Sequence, residues 1–509
     1  MQQAHIPPPG QEKPDALKLS FRDIMEPLLV LFNKGAGQVL PGKEYYVAYS
    51  IPGGVFGYFQ NHKVRREELD AIRDKIREML RDRQAFRQES LDKDDLIRYF
   101  SSAGRGDIVR LLQSRANNEG QLNGLQLAHL NGCGELLPDR VHENYDKLLR
   151  FRLFPYGKGF FLVADPDFYQ RVMPKRVELS KYFRRFEESE ETMKFLGISS
   201  FAELNEVIRK GELPEFIKIA EVYQARRISR IADNILSHPL KPRVVFLAGP
   251  TSSGKTTSAN RLAIEFRVLK KQALILSLDN YYLPHAAIPD DPATGMKNFE
   301  VLTALDLNLF MDNIHDLIGG KAIRLPKYHF DGKGAVPAGE TCQIGPDTLI
   351  IVEGIHGLNP EFWKKTMDVE SYRLYVSALT TLNIHDHLPF STSDHRLIRR
   401  LVRDHLFRGY DFNETIMRWP DVMQNEYMSI FPFQESAHAI FNSALIYEIA
   451  VFAYYAGRIL QPAQAVNEQV REEAQRLRRL LSLLTPINPS DIPPMSILRE
   501  FIGGSSFIY

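Results

Sequence analysis

The stretch VVFLAGPTSSGKTT, residues 244–257, decides how the chain is read. Val244–Ala248 is a short apolar run without charge, long enough for a buried strand. Gly249-Pro250-Thr251-Ser252-Ser253-Gly254-Lys255-Thr256 then matches GxxxxGK[ST], and a helical pattern runs from Thr257 to about Leu269. At ordinary glycine usage a chance match in a chain this long has odds of about one in fifty, and the strand-before, helix-after context lowers them further. The chemistry explains the pattern. Glycines let the backbone curl until successive N–H groups face one anion, and the helix N-terminus adds its positive end. Gly249 to Thr257 are thus candidate phosphate-binding residues, with Lys255 reaching β- and γ-phosphates and Thr256 offering a hydroxyl to Mg²⁺.

Downstream, apolar runs recur at ALILSLD (273–279), TLIIVEG (348–354), YRLYVSA (372–378) and HAIFN (438–442), separated by segments long enough for crossover helices. That alternation predicts an α/β doubly wound parallel sheet of the P-loop type. Two acids fall at strand ends, where open α/β sheets face their ligand crevice. Asp279 is placed to take a proton from an attacking hydroxyl, or to orient it. Glu353 is placed near Mg²⁺, directly or through water. The run RLIRRLVRDHLFRG (396–409) puts Arg396, Arg400 and Arg403 on one helical face, with Arg399 and Arg408 nearby. Such a face is expected to close over the transferred phosphate and exclude water. A loop, an acid and a lid together predict phosphoryl transfer to a hydroxyl.

Upstream of residue 240 the texture differs. Residues 1–18 read as a flexible tail, and 19–236 as an α+β accessory domain. From Phe21 to about Phe59 apolar runs with turn signals at Asn33-Lys34-Gly35 and Ile51-Pro52-Gly53-Gly54 predict short strands. Leu69, Ile72, Ile76, Met79 and Leu80 predict a helix over roughly Arg65–Arg83. Shorter helices are expected around 96–101 and 108–114, a hairpin at 151–165, and helices over 201–236. His238-Pro239-Leu240-Lys241-Pro242 breaks the pattern and marks the boundary. Residues 240–460 form the expected kinase domain. A charged amphipathic helix at 463–485 and a Pro- and Gly-containing tail make up 461–509.

Bulk properties exclude several classes. The 509 residues are 44% hydrophobic and 25% charged, an ordinary globular balance. Lys plus Arg number 64 against 63 acids, so no basic excess marks a dedicated nucleic-acid binder. Cys133 and Cys342 are the two cysteines and form no CxxC, which argues against a disulfide framework and fits a cytoplasmic setting. No apolar stretch is long enough for a membrane span. His385 and His387 form an HxH that lacks a third nearby ligand and reads as a polar loop.

In order, GPTSSGKTT, SLDNYY (277–282), NFEVLTALDL (298–307), LPKYHF (325–330), IIVEGIHGLN (351–359) and RLIRRLVRD (396–404) resemble the phosphoribulokinase/uridine kinase family over roughly 240–460. The long bacterial nucleoside (uridine) kinase branch is the nearest resemblance, sharing stretches like 430–448 and 493–504. The resemblance implies ATP and Mg²⁺ as cofactors and transfer to the 5′-hydroxyl of a nucleoside. It implies catalytic roles for Asp279, Lys255, Arg403 and Arg408. Tyr282, Phe299, Glu300, Tyr328, Lys333 and Arg400 are implied on the substrate side, and Thr256 and Glu353 at the metal. Glu300 stands where uridine kinases have Asp. Lys333 falls near a base-reading histidine position, and Tyr410 and Arg418 where an arginine and a glutamine are usual. Such swaps alter base selection. Residues 60–236 resemble the second additional domain of threonyl-tRNA synthetases but carry no HxxxH, so its metal-dependent editing is not expected.

The leading reading is a nucleoside kinase acting on a small-molecule nucleoside. The alternatives are a phosphoribulokinase-like sugar-phosphate kinase and an ATP-binding, RNA-interacting regulatory protein. Any nucleic-acid contact would fall to the N-terminal half, and homo-oligomerisation is left open.

Overall fold

The computed structural model describes residues 21–508 apart from positions 52, 85, 116–124, 131, 139–147, 165–179, 291–296, 300, 330–333 and 366–368. The expected tail at 1–18, and the candidate residues Glu300 and Lys333, lie outside the described residues.

Residues 21–39, expected as strands, form helix α1 (Phe21–Val39). The reason is spacing: Met25, Leu28, Leu29, Phe32 and Ala36 recur every three or four residues and are all buried. Gly35, read as a turn signal, is a helix contact, where a Cβ would stand 3.4 Å from the Ile72 carbonyl oxygen. Strands β1 (Tyr45–Ile51) and β2 (Gly54–Phe59) follow as an antiparallel pair, then α2 (Arg66–Arg81), which buries the stripe read from the sequence. Next come β3 (Arg87–Ser90), α3 (Lys93–Ser102), α4 (Gly106–Ser114), β4 (Gln126–Leu130) and β5 (Cys133–Leu137). The sheet β3-β4-β5 was not anticipated; β3 is RQES, with no apolar residue to announce it. The expected hairpin is β6 (Arg152–Tyr156) and β7 (Gly159–Val163), which extends the first pair into the order β1-β2-β7-β6. Helices α5 (Ser180–Leu196), α6 (Phe201–Arg209) and α7 (Leu213–Leu236) complete this half.

Every apolar run read as a parallel strand is one. β8 (Val244–Ala248) turns into α8 (Lys255–Val268), and β9 (Ala273–Ser277) precedes α9 (Leu307–Ile318). An antiparallel ribbon of β10 (Ile323–His329) and β11 (Gly334–Cys342) leads to β12 (Leu349–Gly354), α10 (Pro360–Lys365) and β13 (Ser371–Ser377). The short pair β14 (Asn383–His385) and β15 (Leu388–Pro389) opens onto α11 (Thr392–Arg403), α12 (Phe412–Ser429) and β16 (Ala439–Asn442). Helices α13 (Glu448–Ile459), α14 (Glu468–Ser482) and α15 (Arg499–Ile502) end the chain. The parallel sheet has the order β16-β13-β8-β12-β9. The chain leaves β8 toward one edge, returns to β12, then crosses to β13, so the switch of direction lies at β8. Ligand crevices form at the carboxyl ends of strands at such a point.

One buried apolar cluster runs from Met25 to Ile502 and includes side chains of both halves. Polar contacts add to it: Gln224 of α7 donates to the Ser443 carbonyl at 3.1 Å, and Asn205 of α6 to the Leu483 carbonyl at 2.9 Å. Residues 486–508, expected as a tail, pack into this core through Ile497, Leu498 and Phe501. Cys133 and Cys342 are both free thiols. Among the described residues no helix is long and apolar enough to cross a membrane.

Candidate active site

The phosphate-loop stretch sits at the carboxyl end of the central strand. Gly249 leaves β8 so close to β13 that a Cβ would lie 2.0 Å from the Val376 carbonyl oxygen. Ser252 and Gly254 take positive φ, 57° and 80°, and Gly254 becomes the N-cap of α8. The loop therefore closes on itself ahead of a helix N-terminus, the shape the motif requires. Lys255 folds back, its Nζ donating to the Gly249 and Pro250 carbonyls at 2.9 and 3.0 Å.

The arginine run divides between two tasks. Arg396, read as sharing a phosphate-facing side with Arg400 and Arg403, is instead buried at 1% exposure and ion-paired to Glu426 of α12. Its Nε donates to the Thr251 carbonyl at 3.2 Å, while Glu426 accepts from the Thr251 N–H at 2.7 Å. Arg399 is fully buried and bidentate to Glu448 at 2.9 and 2.8 Å, and it donates to the Ser252 carbonyl at 3.2 Å. Two buried ion pairs thus hold the outside of the loop. The correction has a simple cause: a guanidinium driven toward an apolar core takes a carboxylate with it.

Arg400, Arg403 and Arg408 gather on one buried carboxylate, that of Asp404. Arg400 Nε donates to it at 3.1 Å, Arg403 at 3.0 and 2.8 Å, and Arg408 Nε stands at 3.7 Å. Burial lowers Arg408, as does the neighbouring Arg403, while Asp404 and Asp279 act in the opposite direction.

The two strand-end acids share the field of this loop. Glu353, on β12, pairs in register with Ser277 of β9, whose hydroxyl donates to it at 2.7 Å. Burial first, and Asp279 second, push its carboxyl up to about 7, with Lys255 opposing. Asp279 lies in the turn after β9 and keeps part of its surface open to solvent. The enclosing protein raises its carboxyl, and Lys255 and Arg408 lower it. Lys255 therefore lies close enough to act on the charge of both acids, and Arg408 on that of Asp279.

Beside it stands an aromatic group. The Tyr282 ring meets Phe299 edge-on at 5.4 Å and Tyr328 at 5.8 Å. Asn280 accepts from the Tyr328 N–H at 3.2 Å, tying the ribbon strand β10 to the turn that carries Asp279. Tyr281 points the other way, buried against Phe310. Of the departing positions, Arg418 lies over the Tyr410 ring at 4.9 Å. His385 and His387 lie at the join between the halves, bonded to Leu136 and Glu135. Among the described residues no group of three or more His, Cys, Asp or Glu could hold a metal ion.

Glu426, Glu448 and Asp404 went unread in the sequence. Glu448 had a signal: it is a lone acid opening the apolar run EIAVFAYYA, and a charge there calls for a buried partner.

The phosphoribulokinase/uridine kinase family model matches residues 244–450. The uridine kinase of Lactobacillus helveticus is 30% identical over 179 residues, 35% of this chain and 75% of that protein. The uridine kinase of Halalkalibacterium halodurans is 29% identical over 188 residues, 37% of this chain and 79% of that protein. The uridine kinase of Saccharomyces cerevisiae is 29% identical over 206 residues, 40% of this chain and 37% of that protein. The matched span contains the glycine loop, both acids, the aromatic group and the arginines gathered on Asp404, and through it this chain belongs to the phosphoribulokinase/uridine kinase family.

Proposed function

We propose that the protein is a nucleoside kinase, transferring the γ-phosphoryl group of ATP to the 5′-hydroxyl of a nucleoside and releasing the nucleoside monophosphate and ADP. The observation that carries the reading is the placement of Lys255, Asp279 and Glu353 at the carboxyl ends of the neighbouring strands β8, β9 and β12, with Arg408 near enough to act on the charge of Asp279. An aromatic group adjoins it on the same turn.

Each group has a task in that reaction. Backbone N–H groups around Gly254 cup the triphosphate, and Lys255 exchanges its two carbonyl partners for phosphate oxygens. Asp279 accepts the proton of the attacking hydroxyl at its carboxylate, whose ionised form Lys255 and Arg408 favour. Arg400, Arg403 and Arg408, oriented by Asp404, stabilise negative charge spreading over the transferred group. Tyr282, Phe299 and Tyr328 offer faces and edges to base and ribose. Thr256 and Glu353 are hard oxygen donors suited to Mg²⁺, and the crowded acid pair Glu353 and Asp279 is relieved by a cation. The ion would neutralise charge on the β- and γ-phosphates. We place the protein in the cytoplasm, where ATP and nucleosides meet.

The test is ADP release from Mg-ATP with uridine, cytidine, adenosine, guanosine, inosine and ribulose 5-phosphate in turn. One nucleoside is expected to support turnover, lost by roughly 10²–10⁴-fold in Asp279→Asn. Turnover with ribulose 5-phosphate alone would move the acceptor to a sugar phosphate. Silence with every acceptor while ATP still binds would end the kinase reading.

A further inference from the structure

The C-terminal segment reaches the phosphate loop from outside the region matched to the family. Glu500, on α15, accepts from the Thr257 N–H at 3.1 Å and from the Thr257 hydroxyl at 2.6 Å. Thr257 is the third residue of α8, so its N–H is among the first-turn donors that point out of a helix N-terminus and attract anions. The neighbouring Ile497 closes on the same turn: a Cβ on Gly254 would lie 2.6 Å from its Cδ1. A carboxylate of the chain's own thus stands at the mouth of the loop that the kinase reading assigns to triphosphate.

The placement is built, not incidental. Ser496, Ile497, Leu498 and Phe501 are buried, so the segment is anchored on both sides of Glu500. Arg499 ties it to itself, donating to the Pro489 carbonyl at 3.0 Å and to the Gly503 carbonyl at 3.2 Å. Gly503 and Gly504, both at positive φ, turn the chain against the lid, where a Cβ on Gly503 would lie 2.8 Å from the Phe407 ring. Arg399, which braces Ser252, stacks on Phe501 at 4.8 Å. One segment therefore touches the loop, its brace and the lid turn together.

We propose that residues 486–508 form a built-in competitor for nucleotide phosphate, with the Glu500 carboxylate holding the Thr257 donors that a bound phosphate takes. This rests on the nucleotide-binding reading of the loop. One N–H cannot serve two anions fully, and a carboxylate beside a polyphosphate repels it. Nucleotide entry must then move Glu500, and with it the strand of chain lying against Phe407. Occupancy of the loop is coupled to release of the segment and to freedom of the lid turn.

The test is calorimetric titration of the full-length protein with Mg-ATP, comparing the native chain with Glu500→Gln and Glu500→Ala. Both variants are expected to bind about tenfold more tightly. Amide hydrogen exchange over 496–504 is expected to quicken when ATP is added to the native chain. Unchanged or weaker binding in both variants would overturn the proposal, as would slower exchange of that segment with ATP, which would make it part of the closed site. Tighter binding without turnover on any acceptor would sink only the nucleoside reading. Turnover on a nucleoside with unaltered binding in both variants would sink only the competitor.

Discussion

Gly249 has no space for a side chain, because the Val376 carbonyl stands 2.0 Å from where a Cβ would be. Gly249→Ala must push apart β8 and β13, and is expected to cost about 3 kcal/mol in urea unfolding and to abolish ATP binding. Asp404 is a different case, buried at 1% exposure with three guanidiniums around it. Asp404→Asn keeps the volume but removes the charge that holds those guanidiniums together. Turnover on the accepted nucleoside is expected to fall by roughly 10–100-fold, with ATP affinity little changed because the loop itself is untouched. An equal loss of ATP affinity would show that Asp404 supports the loop rather than the lid. The two residues also differ in how they can be read. Gly249 and Lys255 belong to a motif whose spacing is dictated by the phosphate they cup, so the sequence exposes them. Asp404 is one acid inside a basic run, and only folding shows that three arginines converge on it.

At the scale of elements, α11 carries the sharpest lesson. Its sequence repeats arginine at helical spacing, yet Arg396 and Arg399 turn inward to acids on α12 and α13 while Arg400 and Arg403 turn to Asp404. Periodicity tells which residues share a face, but not what the face meets. Glu448→Ala leaves Arg399 charged in a site with no exposure, and is expected to cost about 3–5 kcal/mol. The pair Arg399→Met with Glu448→Met removes both charges and is expected to recover most of that loss. Thermal unfolding midpoints of the three proteins read the result, and a single-variant shift of under a degree would show that the pair does not brace the loop. The strands β8, β9, β12, β13 and β16 were legible because a parallel sheet covered on both faces demands continuous apolar runs. Helix α1 was misread because Asn33 and Gly35 carry turn chemistry that packing of Gly35 against Ile72 and Ile76 of α2 overrides. Strand β3 has no apolar residue and pairs with β4 far along the chain, which no local pattern records; β4 and β5 are a local pair whose sequence signal, Asn131-Gly132 between two apolar runs, was passed over.

At the scale of the whole molecule, the join between the halves is charged and buried. Arg105 pairs with Asp107 at 2.8 Å and Glu135 at 2.7 Å, while His387 bonds Glu135 at 2.7 Å and stacks on Tyr45. His385 lies between them with no exposed side chain, one ring nitrogen donating to the Leu136 carbonyl at 3.0 Å. Burial pushes His385 down to about 4, with Arg105 adding to the shift and Glu135 opposing it. The unfolded chain then binds a proton at this residue more readily than the folded one, so its contribution is complete above about pH 6.5 and is lost as pH falls toward 4. Glu135, held down to about 2 by Arg105 and His387 against its burial, keeps its contribution through this window and loses it only below about 4.5. Asp386, raised to about 6 by burial and by Asp107, slopes the other way, costing stability as pH rises from the ordinary carboxyl range toward 6. The His385 part is therefore isolated by difference. His385→Gln keeps a donor for the Leu136 carbonyl and cannot titrate. Between pH 7 and pH 4.5 the native chain is expected to lose about 2–3 kcal/mol relative to this variant, read from urea unfolding at both values. A gap between the two proteins that stays constant with pH would mean that His385 is charged in the fold, and that the join is held by a cation where the geometry places a neutral ring.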